Sequence, residues 1–214
     1  MVCSSSPILG VLLAGGRSQR MATGDKCLVE LAGKPLLAHA IERITPQVDS
    51  LILNANGNPD RFSAFRLPVV PDTIDGFAGP LAGILAGMLW VRAHMAETRL
   101  IVCVATDTPF FPANLVSHLL AGLNDSHEIA ISRYGGQDFP VFGLFPVALA
   151  DDLDSFLRNS ENFAVKAWLD RHRTVSVDFD QPSEGASNPF LNINTPEDLR
   201  VAECATGSAI RQGS

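Results

Sequence analysis

Ile8-Leu9-Gly10-Val11-Leu12-Leu13-Ala14-Gly15-Gly16-Arg17-Ser18-Gln19-Arg20-Met21, continuing to Asp25-Lys26, is the stretch that sets the fold. The apolar run from Ile8 to Leu13 reads as a buried first strand. Two adjacent glycines, Gly15 and Gly16, let the backbone turn tightly and bring its N–H groups close to a ligand. Three cations, Arg17, Arg20 and Lys26, follow within ten residues. A strand that opens into a glycine-rich basic loop suits phosphate binding; the same pattern also describes an ordinary strand-to-helix turn with surface cations. Two familiar phosphate loops are excluded. The P-loop needs Gly-Lys followed by Ser or Thr, whereas Gly33-Lys34 is followed by Pro35. The dinucleotide fingerprint needs glycines at spacings that Arg17 and Gln19 break.

At 214 residues and 46% hydrophobic content, the chain can bury one α/β core and is short for two. We expect a single domain over residues 1–204 and a polar, disordered tail over 205–214. No run reaches the roughly 18 apolar residues that a membrane helix needs. The start, Met1 to Ser6, carries no cation, so no signal peptide is expected. Cys3, Cys27, Cys103 and Cys204 are scattered without a Cys-x-x-Cys pair, which fits a reducing cytoplasm. The net charge of −7 argues against a nucleic-acid partner. Charge is unevenly placed: residues 1–45 hold five Lys/Arg against three Asp/Glu, and the rest holds eleven against twenty. An acidic protein with one local basic loop suits a small polyanion.

Strand-like and helix-like runs alternate after the loop. Pro35–Ile44 has helical spacing, Ser50–Leu53 reads as a strand, Leu67–Val70 as a short one, and Leu81–His94 as a helix. Arg99–Ala105 is apolar enough for a central strand, and a helix follows to Leu123. This order predicts a three-layer α/β/α fold with a mostly parallel, twisted, Rossmann-like sheet. Ile129–Arg133 and Phe139–Leu144 then predict a hairpin-like pair, with Pro140 favouring an edge or irregular strand. Two helices near Val147–Leu157 and Asn162–Arg171 and a strand at Thr174–Val177 follow. The last helix opens at Thr195-Pro196-Glu197-Asp198, with Thr195 as its cap.

In an open parallel sheet, ligands bind outside the carboxyl ends of the strands. The polar residues that end each expected strand therefore form a set: the glycine loop, Asn54 and Asn56, Asp72, Thr106-Asp107-Thr108-Pro109, and the pair Asn192 and Asn194 before the last helix. Asp107 is placed to ligate Mg²⁺ beside a phosphate loop, since magnesium is held by one or two carboxylates plus phosphates and water; an Asp before Thr-Pro also caps turns. Lys26 can meet phosphate as a point charge, or be a solvated surface lysine. Arg20 can fork onto a phosphate, or close a helix-end salt bridge. Asn54 and Asp72 can read a base or ribose, and both residue types also occur in turns. The five histidines show no metal spacing, and no Ser/His/Asp or Cys/His arrangement emerges.

Leu13-Ala14-Gly15-Gly16-x-Ser18-x-Arg20-Met21 with Asp25-Lys26 resembles the signature of nucleotidyltransferases with a nucleotide-diphospho-sugar transferase fold. Gly33-Lys34-Pro35-Leu36, Asn54-Ala55-Asn56, Gly79-Pro80-Leu81-Ala82-Gly83, Asp107-Thr108-Pro109 and Asn192-Ile193-Asn194-Thr195-Pro196-Glu197-Asp198 extend the resemblance, in order, to the molybdenum cofactor guanylyltransferase family. It runs from about Leu9 to Glu203. The resemblance implies a Mg²⁺-dependent reaction of GTP with the terminal phosphate of Mo-molybdopterin, giving the guanine dinucleotide cofactor and pyrophosphate. By matching motifs, Leu13, Ala14 and Gly15 meet GTP through their backbone, Lys26 contacts phosphate, Asn54 and Asp72 serve the base or ribose side, and Asp107 binds Mg²⁺. Arg20, Gly83, Asn192 and Asn194 match positions tied to activity or the pterin. Molybdoenzymes or their chaperones are the implied protein partners, with no nucleic acid and no membrane. Two departures stand out: Ala22-Thr23-Gly24 where the family often has Met-Gly-Gly, and Ala105-Thr106 where Pro-Cys is usual. Cytidylyl relatives tend to carry Ala at the position of Gly15, which favours guanine. Alternatives are transfer from CTP, a sugar or isoprenoid phosphate acceptor, or a non-catalytic protein that binds or inserts the cofactor.

Overall fold

The structure, a computed structural model, describes residues 6–14, 25–74, 79–125, 128–179 and 188–211. Gly15, Gly16, Arg17, Ser18 and Arg20 of the glycine loop lie outside the described residues. The main sheet has seven strands in the order β5-β4-β1-β6-β8-β7-β9. Its strands are β1 (Ile8–Leu13), β4 (Ser50–Asn54), β5 (Val69–Val70), β6 (Leu100–Ala105), β7 (Ile129–Tyr134), β8 (Gln137–Pro146) and β9 (Thr174–Asp178). β2 (Glu30–Leu31) and β3 (Lys34–Pro35) form a separate small ribbon. The helices are α1 (Leu36–Ile44), α2 (Pro80–His94), α3 (Leu115–Gly122), α4 (Ala150–Asn159), α5 (Val165–Leu169) and α6 (Pro196–Arg211).

Among the described residues of the main sheet, β8 alone runs antiparallel to its neighbours and the remaining pairings are parallel; the β2–β3 ribbon is antiparallel. The expected α/β class with a mostly parallel sheet is therefore borne out. The central strands are apolar at every position because helices cover both faces. Along β1, Leu9, Val11 and Leu13 pack into the cluster with α2 and α4, and Leu12 packs into the opposite cluster with α1 and α3. β6 alternates in the same way, with Ile101 and Cys103 on the first face and Leu100, Val102 and Val104 on the second. A third, smaller cluster joins Leu31 and Leu36 to Ile193 and Ala202, and so holds the start of α6 against the ribbon.

Pro140 does not mark an edge. β8 lies between β6 and β7, and Pro140 falls where the β7–β8 register shifts: Ile131 faces Gly143, but Ser132 faces Phe139. A bulge leaves extra residues outside the ladder, so a residue without an N–H is tolerated there. The irregular half of the expectation fits and the edge half is corrected. The last helix also extends to Arg211, past Cys204, where the sequence reading began its tail.

Register fixes the functional rim. Leu13 pairs with Asn54 on one side and Ala105 on the other, and Asn54 pairs with Val70. Four strand ends thus form one row, and the residues that follow them emerge along one edge. The chain adds β4 and β5 on one flank of β1 and then returns to place β6 on the other. The reversal of strand order between β1 and β6 is where ligands bind in such sheets.

Candidate active site

Lys26 and Asp107 meet across this reversal. Lys26 follows the loop after β1, in a single 3-10 turn (Lys26–Leu28); Asp107 lies two residues beyond β6. Lys26 Nζ donates to Asp107 Oδ2 at 2.7 Å and to Asn194 Oδ1 at 2.5 Å. The lysine is 8% exposed and the aspartate 25%. A buried ammonium needs compensation of this kind, since an unpaired buried charge is costly. Two of its three N–H donors are thereby engaged, which leaves one for a substrate oxygen.

The segment before α6 is clamped to the same place. Ile193 N–H donates to Asp107 C=O at 2.8 Å, and Thr108 Oγ1 donates its one hydrogen to Asn192 Oδ1 at 2.5 Å, with Asp107 Oδ1 3.3 Å away. Asn192 and Asn194 therefore reach Thr108 and Lys26. Asp198 accepts the N–H groups of Asn194 (2.9 Å) and Thr195 (2.8 Å), while Thr195 Oγ1 accepts Asp198 N–H (3.1 Å). This reciprocal cap is the expected start of α6.

The hydrogen bond from Asn194 N–H, then those from Thr195, hold the Asp198 carboxyl below its ordinary range. A depressed folded-state value gives stability that is fully present above the unfolded pKa of about 3.9 and is lost as pH falls through the folded value. Asp198→Ala is thus expected to lower the urea midpoint at neutral pH. The gap from the parent should narrow below about pH 4. A gap that stays constant down to acid pH overturns the capping role.

A second group lies beside β1 on the other flank. Asn54 is 3% exposed, and its Nδ2 donates to Val70 C=O (3.1 Å) and Asp72 Oδ1 (2.9 Å). Asn56 Nδ2 donates to Asp72 Oδ2 (2.7 Å), and Asn56 Oδ1 accepts Asp72 N–H (2.8 Å). Both Asn54 N–H donors are in use, so this side chain orients Asp72. Each Asp72 oxygen keeps a lone pair for a further donor. Ala14 N–H donates to Asn54 C=O (3.0 Å), and Leu13 C=O accepts Thr106 N–H (3.3 Å), which ties the end of β1 to both flanks.

Gly83 brings no functional group to the rim. It is buried in α2, and a Cβ there would lie 2.3 Å from Asn54 Oδ1 and 2.5 Å from Leu13 Cδ2. One turn later, Gly87 makes the same close approach to Val11. These two glycines let α2 settle onto β1 and Asn54. Cys27, next to Lys26, is buried, and burial followed by the nearby Asp25 pushes its thiol up to about 12. It stays protonated and is no nucleophile.

Sequence reasoning missed Arg61. It lies in the 3-10 segment Pro59–Phe65 after β4, and its Nε sits 2.5 Å from Asp25 Oδ2. Nothing in its local sequence marks it, because its partner is distant in the chain.

Among the described residues, no group of three or more His, Cys, Asp or Glu gathers to hold a metal. Around Lys26 the rim instead offers the Asp107 carboxylate, with the amide oxygens of Asn192 and Asn194 nearby. That donor set fits Mg²⁺, which commonly takes one or two carboxylates and completes its shell with substrate phosphates and water. No helix among the described residues is long and apolar enough to cross a membrane.

Lys26 and Asp107 thus stand at the reversal point of a mostly parallel sheet, the place where open α/β folds bind ligands. Residues 10–175 match the family described as the MobA-like NTP transferase domain, and the chain belongs to that family. A protein of Bradyrhizobium sp. (strain ORS 278) named Molybdenum cofactor guanylyltransferase is 43% identical over 201 residues, covering 94% of this chain and 93% of its own. One of the same name from Rhizobium meliloti (strain 1021) is 45% identical over 195 residues, covering 90% and 89%. The crystal structure of molybdopterin-guanine dinucleotide biosynthesis protein A from Archaeoglobus fulgidus superposes with a TM-score of 0.72 at 22% identity, over 94% of this chain and 99% of that one. The family resemblance drawn from the motifs is borne out, and the protein is an enzyme of the nucleotidyltransferase class.

Proposed function

We propose that this enzyme transfers GMP from GTP to the terminal phosphate of Mo-molybdopterin, with Mg²⁺, forming the guanine dinucleotide cofactor and releasing pyrophosphate. The observation that carries the reading is the 2.7 Å pair between Lys26 Nζ and Asp107 Oδ2 at the reversal point, in a chain whose relatives are named guanylyltransferases. A phosphate oxygen of the acceptor attacks the α-phosphorus of GTP, and the bond from that phosphorus to the β-phosphate oxygen breaks. The acceptor is largely ionised near neutral pH, so no side-chain base is required. Such transfers depend on positioning and charge neutralisation. Mg²⁺, held through Asp107 with Asn192 and Asn194 near it, supplies neutralisation of phosphate charge when bound.

Lys26 gives its remaining N–H to a phosphate oxygen and stays fixed by Asp107 and Asn194. The family resemblance assigns Leu13, Ala14 and Gly15 to backbone contact with the nucleotide and Arg20 to activity or the pterin. Asp72, oriented by Asn54 and Asn56, accepts a hydrogen bond from a ribose hydroxyl or a guanine N–H. Asn192 and Asn194 form the wall on the acceptor side, while Gly83 serves by allowing close packing.

The test is a panel of four nucleoside triphosphates with Mg²⁺ and purified Mo-molybdopterin, read as pyrophosphate release. Release with GTP is expected. Release with CTP instead, or only with a sugar or isoprenoid phosphate acceptor, overturns the substrate assignment. Nucleotide binding without any release points to a cofactor carrier and overturns the reaction.

A further inference from the structure

We infer that Arg61 is a positioning residue that sets the spacing between the nucleoside half and the phosphate half of the nucleotide site. The inference rests on the functional reading above, with Asp72 on the nucleoside side and Lys26 on the phosphate side. The Arg61 guanidinium has three protein partners in three directions. Nε contacts Asp25 Oδ2 at 2.5 Å, Nη2 donates to Asn56 C=O at 2.5 Å, and Nη1 donates to Asn58 C=O at 2.9 Å. Its carbon lies 4.6 Å above the ring of Phe62, which is 2% exposed and anchored in the core. Gly57 closes the turn against it: its φ is +84°, and a Cβ there would come within 3.0 Å of Nη1.

Each end of this strut leads into the site. Asp25 directly precedes Lys26, whose ammonium holds Asp107. Asn56 grips Asp72 with both ends of its amide, and Asp72 in turn is held by Asn54. One rigid fork therefore joins Asp25-Lys26 to Asn56-Asp72. The rigidity is specific to arginine, because a lysine offers a point charge on a flexible stem and cannot span three acceptors in one plane. An ion pair with both partners about one third exposed adds little to stability, because water screens it. The arrangement therefore matters through geometry: a ligand that must touch both halves gains only when they are correctly spaced.

This yields a signature that general loss of structure does not produce. With Arg61→Ala, KM for GTP is expected to rise about tenfold or more. Inhibition by guanosine, which engages the nucleoside half, and by pyrophosphate, which engages the phosphate half, should stay at the parent's values. Arg61→Lys should resemble Arg61→Ala. GTP, guanosine and pyrophosphate weakening together overturn the role, since the site has then collapsed. An unchanged KM for GTP in Arg61→Ala also overturns it, as does full rescue by lysine. The parent's own inhibition by guanosine and by pyrophosphate is measured first. If either is absent, the functional reading fails and Arg61's role fails with it; if both are present, failure concerns Arg61 alone.

Discussion

Asp107→Ala is expected to lower turnover on the order of hundredfold or more, comparable to removing a key electrostatic stabiliser. The loss has two origins. The carboxylate proposed to bind Mg²⁺ disappears, and Lys26, 8% exposed, loses its ionic partner while keeping Asn194. Removing one member of a buried pair costs about 3–5 kcal/mol of stability. The cost here is smaller than that, because Asp107 is 25% exposed and water screens it. The variant should therefore fold, as circular dichroism will show, and yet release pyrophosphate on the order of hundredfold more slowly at saturating GTP and acceptor. Lys26→Ala leaves Asp107 unpaired in the same way. The double variant should be no less stable than the sum of the singles predicts, since each single strands one charge and the double strands none. Near-parental turnover in folded Asp107→Ala would end the metal assignment.

Gly83→Ala should destabilise the protein although alanine is the better helix former. Intrinsic propensity favours the change by about 1 kcal/mol. Against it stands a Cβ placed 2.3 Å from Asn54 Oδ1 and 2.5 Å from Leu13 Cδ2. Asn54 is 3% exposed and Leu13 7%, so neither moves into open space. Overpacking of this kind costs about 1–3 kcal/mol. Displacing Asn54 also strains its bonds to Val70 and Asp72, at about 0.5–1.5 kcal/mol each. The clash outweighs the propensity. Calorimetry should show a lower Tm, and KM for GTP should rise because Asp72 has lost its orientation. A Tm at or above the parent's would show that propensity prevails and that the rim is softer than its contacts imply.

Gly83 also marks the boundary of what the sequence could tell. Its motif was readable, but its role was not, because a glycine's purpose depends on what approaches it. The central strands were readable for a plain reason: Ile8–Leu13 and Leu100–Ala105 are apolar at every position and are buried on both faces. Asp107 was readable because it follows such a strand directly. The pairing of Lys26 with Asn194 was not, since 168 positions separate them and only the folded chain brings α6 to the loop. Arg61 was hidden for the same reason. Pro140 left an edge strand and an irregular one as alternatives, because proline reports only its own missing N–H, and the bulge inside the sheet is what meets that need.

The two flanks of the rim are unequally anchored. β6 is laddered to β1 at six positions and to β8 at four, whereas β5 is in register with β4 at two, Leu53 with Val69 and Asn54 with Val70. Local opening in a protein begins where backbone bonds are few and solvent is near. The wall that carries Asp72 is therefore held less by its ladder than by side chains, the Asn54 and Asn56 amides and the Arg61 fork, whereas the wall that carries Asp107 rests on the ladder itself. One wall of the rim is thus built from backbone and the other is stitched by amides and a guanidinium, so single side-chain substitutions are expected to loosen the second and spare the first.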